Sequence, residues 1–166
     1  NKGRRVCGEL METYKITGVE VFSVGQWNNT TVQREHLTSM VQAFTDTAST
    51  WRPPLKLGHD DGQALLQTDG MPAAGWIERL YLQGDKLVAD FSDIPKKIYD
   101  LIKSKAYRKV SCEVYWNLDF NSKKYPALLG AVALLGADKP GVMNLQDILS
   151  NYQKKFGNGE LIVYSN

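Results

Sequence analysis

Between residues 109 and 118 side chains alternate between an apolar and a more polar parity, and no other stretch so firmly limits what this chain can become. Val110, Cys112, Val114 and Trp116 fall on one parity, and Lys109, Ser111, Glu113 and Tyr115 on the other. Successive side chains of a strand point to opposite faces, so this pattern predicts a strand with one apolar face and one mixed-polarity face. Just downstream, residues 126–135 are small and apolar at nearly every position, which predicts a strand buried on both faces. Two long neighbouring strands of this kind commit the chain to a sheet.

The other segments support that commitment. Residues 18–25 are β-branched and bounded by glycines, and read as a strand, with a weaker entry strand within 4–16. Residues 26–29 read as a turn. Thr30 or Thr31 is then placed to cap a helix whose stripe is Leu37, Met40, Val41 and Phe44, with His36 on its polar, exposed side. Two prolines at 53 and 54 enforce extended backbone ahead of a short strand at 55–57, which ends at Gly58 and His59. Residues 60–74 have loop composition. Strands at 76–82 and 86–91 flank Gln83-Gly84-Asp85, a hairpin signal. Pro95 opens a second helix carrying Ile98, Leu101 and Ile102. Asn144 is placed to cap a third, and a last strand spans 161–164. Strands and hairpins dominate, so the expected class is α+β: a largely antiparallel β-barrel or strongly curved sheet surrounded by about three helices.

A chain of 166 residues suits a single domain over 1–166 with an ample core. A net charge of +2 gives no electrostatic footprint for nucleic acid, and no apolar run is long enough to span a membrane. Cys7 and Cys112 have no metal-ligand or redox-motif spacing, and buried thiols are expected rather than a disulfide. The basic start, residues 1–5, is followed by no signal-peptide core, so a soluble intracellular protein is expected.

The chemistry rests on few residues. His59 stands where strand-like sequence gives way to turn-like sequence, and a neutral-pH imidazole suits a general base. Asp60 and Asp61 follow it too closely to share one ion with it, and no second histidine cluster or HExxH exists, so no metal and no cofactor is expected. Ser111 sits mid-strand on the mixed-polarity face. Neither a GxSxG elbow nor an SxxK motif accompanies it, and a serine in such a place is commonly just solvated. His59 and Ser111 lie 52 positions apart (111 − 59), so only a tertiary fold can bring base and hydroxyl within reach. Trp51, Trp76 and Trp116 read as core or groove residues rather than as the exposed aromatic patch of a binding module.

The order of short motifs carries more than any one of them. Leu57-Gly58-His59, Gly75-Trp76-Ile77, residues 86–90, the Ser111 strand from Tyr107 to Glu113, and residues 130–140 ending Gly136-Ala137-Asp138-Lys139-Pro140 together resemble the phage Mu-like prohead proteases, capsid maturation enzymes of the herpesvirus assemblin fold group. The likeness spans roughly residues 16–150. It implies a serine endopeptidase that cleaves scaffold and major capsid proteins inside the immature head, in the infected bacterial cytoplasm or from a prophage, and a homodimer. It implies Ser111 as nucleophile and His59 as base. The third member does not map: no histidine follows residue 59, and residues 130–135 hold no acid, which leaves Asp90 first, then Asp138 or Glu113, or a dyad. An oxyanion hole from the backbone of Gly136, Ala137 and Asp138 is the accompanying expectation. The missing third residue also keeps open a vestigial, structural capsid-associated domain.

Overall fold

The structure is a computed structural model that describes residues 12–27, 30–58, 73–136 and the backbone of 161–163. The chain runs β1 (Thr13–Ser23), β2 (Gly25–Trp27), β3 (Thr30–Val32), α1 (Arg34–Thr47), β4 (Pro54–Leu57), β5 (Gly75–Gln83), β6 (Lys86–Pro95), α2 (Lys96–Lys103), β7 (Lys109–Phe120), β8 (Lys123–Leu135) and β9 (Leu161–Val163). Six strands and the short edge strand β9 form one sheet in the order β1-β6-β5-β4-β8-β7-β9, and β2 and β3 form a separate hairpin.

This architecture corrects the expected fold class. The sheet is mixed, because β4 runs parallel to β8, and it is open rather than closed into a barrel. The reason for the opening is local. Closure would need β1 to pair with the far side of β7, but that edge is taken by β9, which bonds along Glu113, Val114 and Tyr115. Among the described residues β1 and β7 share no ladder; the Cys112 thiol of β7 donates to the Val21 carbonyl of β1 at 2.9 Å. Two helices occur among the described residues where about three were expected around the sheet; the expected helix after Asn144 lies outside them.

The β5–β6 hairpin turns through Gly84 and Asp85 with Gly84 at φ +60°, a conformation glycine adopts without strain. β8 sits between β4 and β7, and its residues from Ala127 to Leu135 are all buried, which is why they are apolar on both parities. The inner face gathers Val19, Phe91, Leu55, Val110, Cys112 and Leu134 with Leu37 and Met40 of α1 and Ile102 of α2. Burying this many aliphatic side chains, at about 1.5–3 kcal/mol each, is the principal stabilisation.

Two local expectations change. Residues 26 and 27, read as part of a turn, lie in a strand with Gly25 that pairs with Thr30–Val32, so neither Thr30 nor Thr31 caps α1. The cap is Gln33, whose backbone N–H donates to His36 Nδ1 at 2.9 Å. His36 is accordingly half-buried, not an exposed histidine, with its ring edge-on to Trp116 at 4.9 Å between centroids.

Candidate functional site

Ser111 lies in the middle of β7 and is fully buried. Its ladder partner on β8 is Ala133, and the partner of Ala133 on β4 is Lys56. Register partners share a face, so Lys56, Ala133 and Ser111 form one row across three strands on the side opposite the core. The neighbouring rows, Leu55–Val132–Cys112 and Leu57–Leu134–Val110, point inward. The alternation read from the sequence of β7 is therefore the alternation of the fold, except that its polar face is buried around Ser111 and Glu113 rather than solvated.

Glu113 stands one row along from Ser111 on the same face, opposite Ala131. Lys56 reaches over β8 and donates to Glu113 Oε2 at 2.9 Å. Only alanines, Ala131 and Ala133, lie beneath that path, and a larger side chain on β8 would block it. Directly after Glu113 the ladder slips, because Gly130 is an extra residue on β8 between the partners of Glu113 and Val114. A Cβ on Gly130 would meet the Tyr115 ring at 2.8 Å, so this bulge needs glycine.

β4 carries the chain toward His59. Its last paired residue is Leu57, opposite Leu134, and the Gly58 N–H donates to the Leu134 carbonyl at 3.0 Å. Gly58 adopts φ +64°, turning the chain out of strand geometry. His59 itself lies outside the described residues, as do Ala137 and Asp138. Gly136, the first of the expected oxyanion residues, is an exposed bend at the end of β8.

Asp90 is not brought to Ser111. It lies on β6, four places from β7 in the sheet order. Its Oδ1 accepts the Gly18 N–H at 2.9 Å, and its Oδ2 is 4.0 Å from Arg79 Nη1. Gly18, at φ +71°, occupies an irregular step in the β1–β6 register. The Asp90 carboxylate thus stitches a strand irregularity, a role the sequence does not announce. Of the two described carboxylates considered beside Ser111, Glu113 is the one on the serine's own strand, one row away on the same face; Asp138 lies outside the described residues.

Lys56 is the residue that sequence reasoning passed over. The only trace of it was its place on the polar side of Leu55-Lys56-Leu57. Trp76, the register partner of Pro54, also stands on the outer face and is 40% exposed, and Trp51 is 37% exposed. Of the three tryptophans read as core or groove residues, Trp116 is buried, while Trp51 and Trp76 are not core. Among the described residues no three His, Cys, Asp or Glu side chains gather closely enough to hold a metal ion, and no helix is long and apolar enough to cross a membrane.

The fold and its outer-face cluster define a mostly β protein with an open mixed sheet on which buried Ser111 and Glu113 lie in adjacent rows beside half-buried Lys56. Comparison with family models, with curated proteins and with solved structures gave no match to this chain.

Proposed function

We propose that this protein is a serine endopeptidase of the prohead-maturation kind, with phage scaffold and major capsid proteins as its substrates. Ser111 attacks the scissile carbonyl, and His59 takes its proton and returns it to the leaving amine. The reading belongs to the immature phage head, and a homodimer goes with it. One observation carries it: β4, which ends two residues before His59, lies only one strand away from β7, which holds Ser111. The end of β4 at Leu57 thus stands two strand spacings, each about 4.8 Å, from β7. For the third role Glu113 now stands ahead of Asp90, whose carboxylate is taken by Gly18 and Arg79.

Cleavage of scaffold or capsid protein by the wild type, Ser111→Ala and His59→Ala tests the reading. Both variants should lose at least about a thousandfold in rate. Full activity in either removes that residue from the mechanism.

A second reading, a structural capsid-associated domain with a vestigial site, is favoured by the complete burial of Ser111. A fluorophosphonate or sulfonyl fluoride probe separates the two. Labelling that disappears in Ser111→Ala supports the protease, whereas a folded wild type that resists labelling supports the structural domain.

A further inference from the structure

One face of α1 is fastened to the β7–β8 hairpin by His36, Ser39, Ala43 and Asp46, which follow one another at helical spacing. The His36 ring stands edge-on to Trp116 of β7 at 4.9 Å between centroids. Ser39 Oγ donates to the Ala127 carbonyl of β8 at 2.9 Å and accepts the Ala127 N–H at 3.2 Å. Ala43 packs with Tyr125 and Leu128. Asp46 Oδ2 accepts from the Tyr125 hydroxyl at 2.7 Å and from Lys123 Nζ at 2.9 Å, and its Oδ1 accepts from Gln42 Nε2 at 2.8 Å.

The two ends of this seam answer to protons differently. At the far end Lys123, with Tyr125 and Gln42, holds the Asp46 carboxyl down to about 2, so that end keeps its charge in mild acid. At the near end His36 Nδ1 accepts the Gln33 N–H at 2.9 Å, and a backbone N–H can only donate. Nδ1 therefore carries no proton in this contact, and the ring is neutral with its proton on Nε2. A proton on Nδ1 would set two N–H groups against each other and break the contact.

The surroundings give an imidazolium little compensation. Thr30, Thr31 and Val32 of β3 are neutral, as are Trp116 of β7 and its ladder partner Ala127 of β8. On α1, Arg34 is bonded to the Gly84 carbonyl at 2.6 Å, and Glu35, the acid of the first turn, is exposed. Burial accordingly lowers the pKa of His36, and Glu35 offsets this only in part. A histidine lowered in this way adds its full stability above the unfolded value of about 6.5 and loses it as pH falls from there through the folded value.

We propose that the His36–Gln33 contact is a proton-operated latch: a proton on His36 Nδ1 releases the start of α1, while the Asp46 end keeps its hold on the β7–β8 hairpin. The latch is independent of the protease reading.

Hydrogen exchange on the whole chain, corrected for the intrinsic effect of pH, reads the latch at the Gln33 amide and the far end at the Phe44 and Thr47 amides. Between about pH 7.5 and about pH 5, Gln33 protection should fall about fivefold or more, while Phe44 and Thr47 change by less than about twofold. The midpoint of the fall should coincide with the titration of the His36 ring followed by NMR. His36→Gln supplies an oxygen that accepts the N–H at any pH, so its Gln33 protection should stay flat over the same range.

Wild-type Gln33 protection that ignores the His36 titration overturns the proposal. So does an equal fall in wild type and His36→Gln. A fall of the same size at Phe44 and Thr47 overturns it as well, because the whole helix would then loosen rather than one end. The wild-type titration decides between these outcomes even if His36→Gln folds poorly.

Discussion

Two carboxylates on the outer face of one sheet, Asp90 and Glu113, look alike in sequence and do different things in the fold. Each sits mid-strand beside a register irregularity, and each faces a cation. Asp90 mends its own neighbourhood: it accepts a backbone N–H that the Gly18 irregularity would leave unpaired, while Arg79 stands at 4.0 Å and 68% exposed. Glu113 joins distant pieces of chain, since its lysine comes from a strand 57 positions earlier at 2.9 Å. The difference lies in what surrounds them. Arg79 reaches into water and also lies over the Tyr81 ring at 4.5 Å, so its hold on Asp90 is loose. Lys56 crosses alanines into a buried site, where a charge without its partner is costly.

Removing the two cations should expose that contrast most sharply. Lys56→Met leaves the Glu113 carboxylate buried and should destabilise by about 2–3 kcal/mol, at the low end for buried pairs because a third of the lysine is in water. Arg79→Met should cost under about 1 kcal/mol, as exposed pairs do. Equal losses in chemical denaturation would erase the distinction between the two ties.

The glycines at the two irregularities should respond next. Gly130→Ala drives a methyl into the Tyr115 ring and toward the Glu113 carbonyl at 3.3 Å, an overpacking worth about 1–3 kcal/mol. Gly18→Ala meets nothing within 4 Å and costs only the strain of its φ of +71°, about 1 kcal/mol. Thermal melts of the pair measure packing on one side of the sheet against backbone strain on the other.

Asp90→Ala orphans the Gly18 N–H and should cost about 1–2 kcal/mol, while Asp90→Asn, which still offers an oxygen, should cost less. Neither should change cleavage of a capsid substrate by more than about twofold, within the effect of a mild loss of stability. A large loss of kcat in Asp90→Asn with an unchanged melt would return Asp90 to the catalytic set.

The smallest effect concerns Glu20 on the Asp90 side of the sheet. Burial pushes its carboxyl above the ordinary range, with Lys86 pulling the other way, and Oε2 is buried with no hydrogen-bond partner among the described residues. A raised folded pKa means the ionised form is the strained one. Its cost is present at neutral pH and is relieved as pH falls through the folded value toward the unfolded value of about 4.3. Glu20→Gln should therefore raise the melting temperature slightly at pH 7 and less at pH 4. A difference of the opposite sign would show that Glu20 is stabilised as the anion.

Much of the sheet is legible in the amino-acid sequence. The alternation of β7, the two-sided apolarity of β8, the Gly84 turn and the helix after Pro95 are all local consequences of side-chain parity, burial and φ preference. The helix stripe of Leu37, Met40, Val41 and Phe44 is legible too, although its cap is not. Gln33 is the cap, with His36 accepting its N–H, only because β3 ends at Val32, and a three-residue strand leaves almost no periodic signal.

What sequence by itself determined, then, is which segments become strands and which parity of each faces the core, because both follow from residues near one another in the chain. The tertiary structure decided which strands are neighbours. Parallel pairing of β4 with β8 and the occupation of β7's edge by β9 turn an expected closed sheet into an open one. The same choice of neighbours sets Lys56 across two alanines from Glu113 and Ser111 and leaves Asp90 four strands from the serine. Strand order is a sum of many weak long-range packing terms, and no short stretch of residues records it.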